Sequence, residues 1–136
     1  MTGPRVYSVE EVSELIPDLE SRFERLDEIR AKLRRVKVKA DAIEMIWGDE
    51  VHKKDNPDHQ EYEHHIESLK ELEEEFQRVS ASFGEFGATV KGLEPGLLDF
   101  YGVRDGHLVF LCWRRGEKRC EYWHHVDSGF SGRQKV

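Results

Sequence analysis

The chain has 136 residues, 38% of them hydrophobic and 36% charged, and a formal charge of −7. That length suits one domain with a core of its own, and no apolar run reaches the roughly 20 residues of a membrane-spanning helix. The acidic balance argues against nucleic acid or an acidic membrane surface as partner.

Residues 8–87 carry helical spacing and residues 88–136 strand-like spacing, within a single domain covering residues 1–136. The lead-in from Met1 to Tyr7 has no apolar stretch of the kind a secretory signal needs, so the reading is cytoplasmic. Ser8 and Glu11 have the spacing of a capping box, which satisfies free N–H groups at a helix start. Pro17 lacks an N–H and disfavours helical geometry at Ile16, which predicts a short leading helix over Val9–Leu15 and a new helix from Pro17.

Apolar residues then recur at Leu19, Phe23, Leu26, Ile29, Leu33, Val36, Ala40, Ile43 and Trp47, the three-four alternation of a coiled-coil seam. Gly48 ends that run, and Asp58 with Glu61 predicts a second cap. A second seam follows at Tyr62, His65, Ile66, Leu69, Leu72, Phe76, Val79, Phe83 and Phe86. Two such arms joined by a short loop predict a long antiparallel helical hairpin, each arm roughly 40–45 Å. Pairing about the loop sets Ile43 against Tyr62, Val36 against Leu69, Ile29 against Phe76 and Phe23 against Phe83. The basic run Arg30, Lys32, Arg34, Arg35, Lys37 and Lys39 then meets acidic residues of the second arm, which favours charge matching between helices over a nucleic-acid stripe.

Beyond Gly87 the period shortens. Strands are predicted over 88–93, 97–101, 107–114 and 118–126, with a hairpin turn at Arg104-Asp105-Gly106 and a further loop at Arg115-Gly116-Glu117. The fold class is therefore α+β: a helical hairpin, a short leading helix and a small C-terminal antiparallel sheet of three or four strands.

Candidate chemistry concentrates in that last third. Asp99 sits in the apolar strand LLDFY, where a carboxylate must find a partner or function as part of a site. His124 and Asp127 close the strand after Trp123. Glu117 lies in the preceding loop. Arg133 ends the Gly-Phe-Ser-Gly-Arg tail, which reads either as an anion cradle or as a packed tail with Arg133 on a carboxylate. The ligand-binding candidates are thus Asp99, Glu117, His124, Asp127 and Arg133, and a metal set of His124, Asp99 and Glu117 would suit zinc or iron. Cys112 and Cys120 read as buried free thiols rather than zinc ligands. A single Glu61-x-x-His64 with Glu44 has carboxylate-metal spacing, but such sites take two copies.

The blocks GLLDF, the Arg-Asp-Gly turn, LCW, GE, YWH and GFSGRQ, with SVEEVSELIPDL near the start, resemble a bacterial family catalogued as domain of unknown function 2203. Asp99, Cys112, Glu117, His124 and Arg133 are among the positions that carry the resemblance. Cys120 and the histidines His59, His64 and His65 stand outside it. The resemblance implies no activity; it supports the partition into helical and strand parts and the choice of the C-terminal stretch.

The first long helix is apolar nearly all round near Val38, Ala42, Met45 and Ile46, more than one partner helix covers, which predicts a homo-oligomer. The functional expectation is a non-catalytic cytosolic binding or interaction protein assembling through its hairpin. The alternative is a metal-binding protein or metal-dependent enzyme with its site around His124.

Overall fold

The computed structural model describes residues 5–136; the lead-in before Arg5 lies outside them. In chain order the elements are α1 (Val9–Trp47), α2 (His59–Ala81), β1 (Thr89–Leu93), β2 (Gly96–Arg104), β3 (His107–Arg114), β4 (Tyr122–His125) and β5 (Gln134–Lys135). Two long helices followed by an antiparallel sheet make an α+β arrangement. The described residues divide into two compact units, one formed by the chain up to Glu24 with Ala81–Val136, the other by Arg25–Ser80.

The capping box is present: Ser8 N–H donates to Glu11 Oε1 at 2.8 Å and Glu11 N–H to Ser8 Oγ at 3.1 Å. The expected break at Pro17 is absent, and no separate leading helix exists, because α1 runs through the proline without interruption. The reason is packing. Val12, Ile16, Leu19 and Phe23 form one continuous buried face, and that burial outweighs the roughly 3 kcal/mol penalty of an interior proline.

The sheet has five strands rather than three or four, in the order β1-β2-β3-β4-β5. β5 pairs Lys135 with Tyr122 and Gln134 with Trp123, so the tail itself supplies the extra strand. β2 begins at Gly96, where an added Cβ would lie 2.6 Å from the Phe23 ring; only glycine lets helix and strand approach so closely. The Asp105-Gly106 turn joins β2 to β3 with φ of 51° and 77° at its two residues, the double left-handed geometry that a two-residue hairpin requires. β4 starts at Tyr122, four residues later than expected from the sequence, and the loop before it is correspondingly longer.

Alternation along the strands produces two different sheet faces. Leu98, Phe100, Leu111 and Trp113 share one and are buried with the α1 face. There Phe23 packs against Phe83 and Trp113 at ring separations of 4.7 and 6.2 Å, and Tyr7 meets Phe100 edge-on at 5.2 Å. The second face carries Asp99, Tyr101, Phe110, Cys112, Tyr122 and His124, and is described below.

In the Arg25–Ser80 unit the arms run antiparallel, as the seams predict. Arg25 pairs with Glu75, Arg30 lies 5.3 Å from the Phe76 ring, and the Tyr62 hydroxyl donates to Glu44. Ala40, Ile43, Val51 and Tyr62 form a core by the loop, backed by Trp47 and Leu69. Asp58 accepts the Trp47 indole N–H at 2.8 Å and so ties the loop to the end of α1. Between the two ends the seam is looser: Leu33, Val36, Leu69, Leu72, Phe76 and Val79 are only half-buried. A groove of about 590 Å³ runs past Val36 and Leu72, lined by Lys32, Arg35, Lys39 and Arg78 and by Glu71, Glu74 and Glu75.

Candidate functional site

A two-residue turn at Asp105-Gly106 fixes the β2–β3 register, and that register sets Asp99 directly opposite Cys112. The β3–β4 register sets Phe110 opposite His124 and Cys112 opposite Tyr122. Asp99, Cys112 and His124 therefore lie on three adjacent strands and on the same face. Their ligand-type atoms all fall within 4.8 Å of one another, and all three side chains are buried.

The imidazole of His124 is held at both ends. Nδ1 lies 2.8 Å from the carbonyl oxygen of His125, which can only accept, so Nδ1 carries the proton of that bond. Nε2 lies 3.1 Å from each carboxylate oxygen of Asp99. Both ring nitrogens are thus engaged, Nδ1 by the His125 carbonyl and Nε2 by the Asp99 carboxylate. Phe110 walls the ring at 5.5 Å and is itself stacked on Tyr101 at 4.9 Å. In these surroundings burial pushes the Cys112 thiol up to about 12, reinforced by the Asp99 charge. Burial likewise raises Cys120 to about 12. Both cysteines are free and buried, as the sequence predicts.

Glu117 and Arg133 form a second pair. Arg133 Nη2 reaches both Glu117 oxygens at 2.8 and 2.7 Å, and Glu117 Oε1 also accepts the Arg114 N–H at 2.7 Å. The Arg133 guanidinium lies 3.8 Å from the Tyr122 ring and 4.7 Å from Phe130. Of the two readings of the tail, the packed one with Arg133 on a carboxylate matches this geometry. Phe130 is 42% exposed and serves as a stacking surface for Arg133. Asp127 is exposed and lines a separate hollow with Arg104, His107, Trp123 and His125.

The five candidates thus resolve into a buried Asp99–His124 pair, a Glu117–Arg133 pair, and Asp127 apart from both. Sequence reasoning left Cys112 out of the metal set, although the turn centred between Asp105 and Gly106 pairs positions whose numbers sum to that of 99 with 112. On the helical side, Glu44 is engaged by Tyr62 and Glu61 lies 3.5 Å from His65. Neither belongs to a metal-type cluster among the described residues.

Fold and site together define a small α+β protein whose sheet encloses a polar cluster on the face opposite α1. The chain belongs to the family described as uncharacterized conserved protein (DUF2203), whose model matches residues 5–136. No curated protein and no solved structure matches the chain. No helix among the described residues is long and apolar enough to cross a membrane.

Proposed function

We propose that the protein is a non-catalytic interaction protein of the bacterial cytosol that assembles with a second copy of itself through the helical hairpin. The observation that carries this reading is the apolar stripe on α1. Val38, Met45 and Ile46 are 68%, 87% and 70% exposed, and with Ala42 they fall at the i, i+4, i+7, i+8 positions of a single helix face. A stripe of that kind marks a protein contact when it lies beside a seam that is itself incompletely covered.

Charge supports a copy of the same chain as the occupant. The stretch from Arg30 to Lys39 bears six basic residues and no acidic one, while Glu61–Glu75 on α2 bears seven acidic residues and one lysine. Lys32, Arg35 and Lys39 line one groove with Glu71, Glu74 and Glu75 within a chain, and a two-fold axis extends that complementarity to the outward-facing basic and acidic residues of two copies. The sheet cluster supports the non-catalytic half of the reading. In the metal-free protein a thiol pushed up to about 12 is a poor nucleophile at neutral pH, and the ring nitrogens of the histidine beside it are engaged by the His125 carbonyl and by Asp99 rather than by the thiol.

Size-exclusion chromatography with light scattering tests the proposal. The parent protein should elute as a dimer at about 10 μM, and Met45→Glu with Ile46→Glu should elute as a monomer with unchanged helical circular dichroism. A monomeric parent, or a dimer indifferent to both substitutions, rejects it.

A further inference from the structure

The geometry points to a metal centre of Asp99, Cys112 and His124, buried in the sheet and suited to zinc. This goes beyond the assembly reading and does not depend on it. Three donor types of the right chemistry come from three adjacent strands, within 4.8 Å of one another. Soft thiolate with imidazole and carboxylate is a zinc set.

The orientation of His124 is the informative part. A ligating histidine commonly gives its second ring N–H to a backbone carbonyl or carboxylate, which fixes the ring and leaves the other nitrogen for the metal. Here Nδ1 makes that bond to the His125 carbonyl, so Nε2 is the nitrogen turned toward Asp99 and Cys112. Both oxygens of Asp99 stand at the same 3.1 Å from Nε2. Either oxygen is therefore placed to bind an ion that Nε2 also holds. With one sulfur and one nitrogen it makes three protein ligands, and the fourth position of a tetrahedral ion is left for a small exogenous ligand.

Charge also balances. A divalent ion with one thiolate, one carboxylate and a neutral imidazole makes a neutral unit, the form in which charges tolerate burial. Asp99 and His124 are 3% and 1% exposed and Cys112 is 2% exposed. The centre is therefore buried, and it braces β2, β3 and β4 together. Glu117 is bound to Arg133 and to a backbone N–H, so Cys112 takes the third ligand position expected of Glu117.

Cobalt reports on such a site directly, because a cobalt–thiolate bond has a charge-transfer absorption and a tetrahedral ion has intense visible bands. The whole purified protein, stripped with a chelator, is titrated with Co²⁺ and then with Zn²⁺. The expected result is one equivalent of cobalt bound with both absorptions, displaced by one equivalent of zinc. Cys112→Ser should lose the charge-transfer absorption, and His124→Ala should lose the tetrahedral bands. Cys120→Ser should keep both features. Circular dichroism of each variant, recorded without metal, separates ligand loss from unfolding. A parent protein that binds neither ion overturns the proposal, as does a charge-transfer absorption that survives Cys112→Ser or disappears in a folded Cys120→Ser.

Discussion

His124 meets both carboxylate oxygens of Asp99 at 3.1 Å, with the two side chains 2% and 3% exposed. Neither group could be buried alone without a large desolvation penalty, so each is the condition for the other. Measured in the presence of a chelator, His124→Ala and Asp99→Ala should each lower stability by about 3–5 kcal/mol, the range for breaking a buried pair from one side. The double variant should fall well short of the sum, since the second removal strips a charge that has already lost its partner. Urea denaturation of the four proteins checks this. Additive losses would mean that the pair is not coupled.

The cysteines make a separate claim about pH. In the folded chain kept free of metal by a chelator, burial holds Cys112 and Cys120 at about 12, against roughly 8.5 in an unfolded one. The folded state thus keeps its thiol protons where the unfolded state sheds them. Their contribution is fully present below about 8.5 and is lost progressively as pH rises toward 12. Stability should therefore decline through the alkaline range, and the decline should be shallower in Cys120→Ala, which removes one of the two groups. Ellman's reagent at pH 8 should react slowly with the native protein and rapidly in denaturant. Fast native labelling of both thiols would show that the sheet does not shield them.

How far the sequence discloses this molecule depends on the range of the interaction concerned. The helical hairpin is written in local periodicity, and the pairings Ile43 with Tyr62 and Phe23 with Phe83 follow from the loop position alone. The Asp105-Gly106 turn is equally local, and it alone implies that Asp99 faces Cys112. The contact of Asp99 with His124 is not local: it needs two hairpin registers at once, and the second depends on a loop whose length the residues Arg115-Gly116-Glu117 understate. β5 is two residues long and has no pattern to read. Arg133 was legible as a partner for a carboxylate, but which carboxylate was decided by how the tail crosses Tyr122.

Pro17 is the position where local chemistry and tertiary packing disagree most openly, and it makes the last prediction. A regular helix would have the residue-17 N–H donate to the Ser13 carbonyl, and proline has none to give. The Ser13 hydroxyl does not compensate for this, since it donates to the Val9 carbonyl at 2.7 Å and accepts the Cys120 N–H at 2.9 Å. Pro17 itself is exposed, while its neighbours Ile16 and Leu19 are buried. Pro17→Ala therefore adds a helical hydrogen bond and relieves the ring clash without removing buried surface. Against this, alanine lets the unfolded chain explore more conformations, a loss of about 0.4–1 kcal/mol. With roughly 3 kcal/mol to recover at an interior proline, the variant should be more stable by about 2 kcal/mol, read as a higher midpoint in thermal or urea denaturation. A lower midpoint would mean that Ile16 and Leu19 reach their buried positions only because the proline bends the helix toward the sheet.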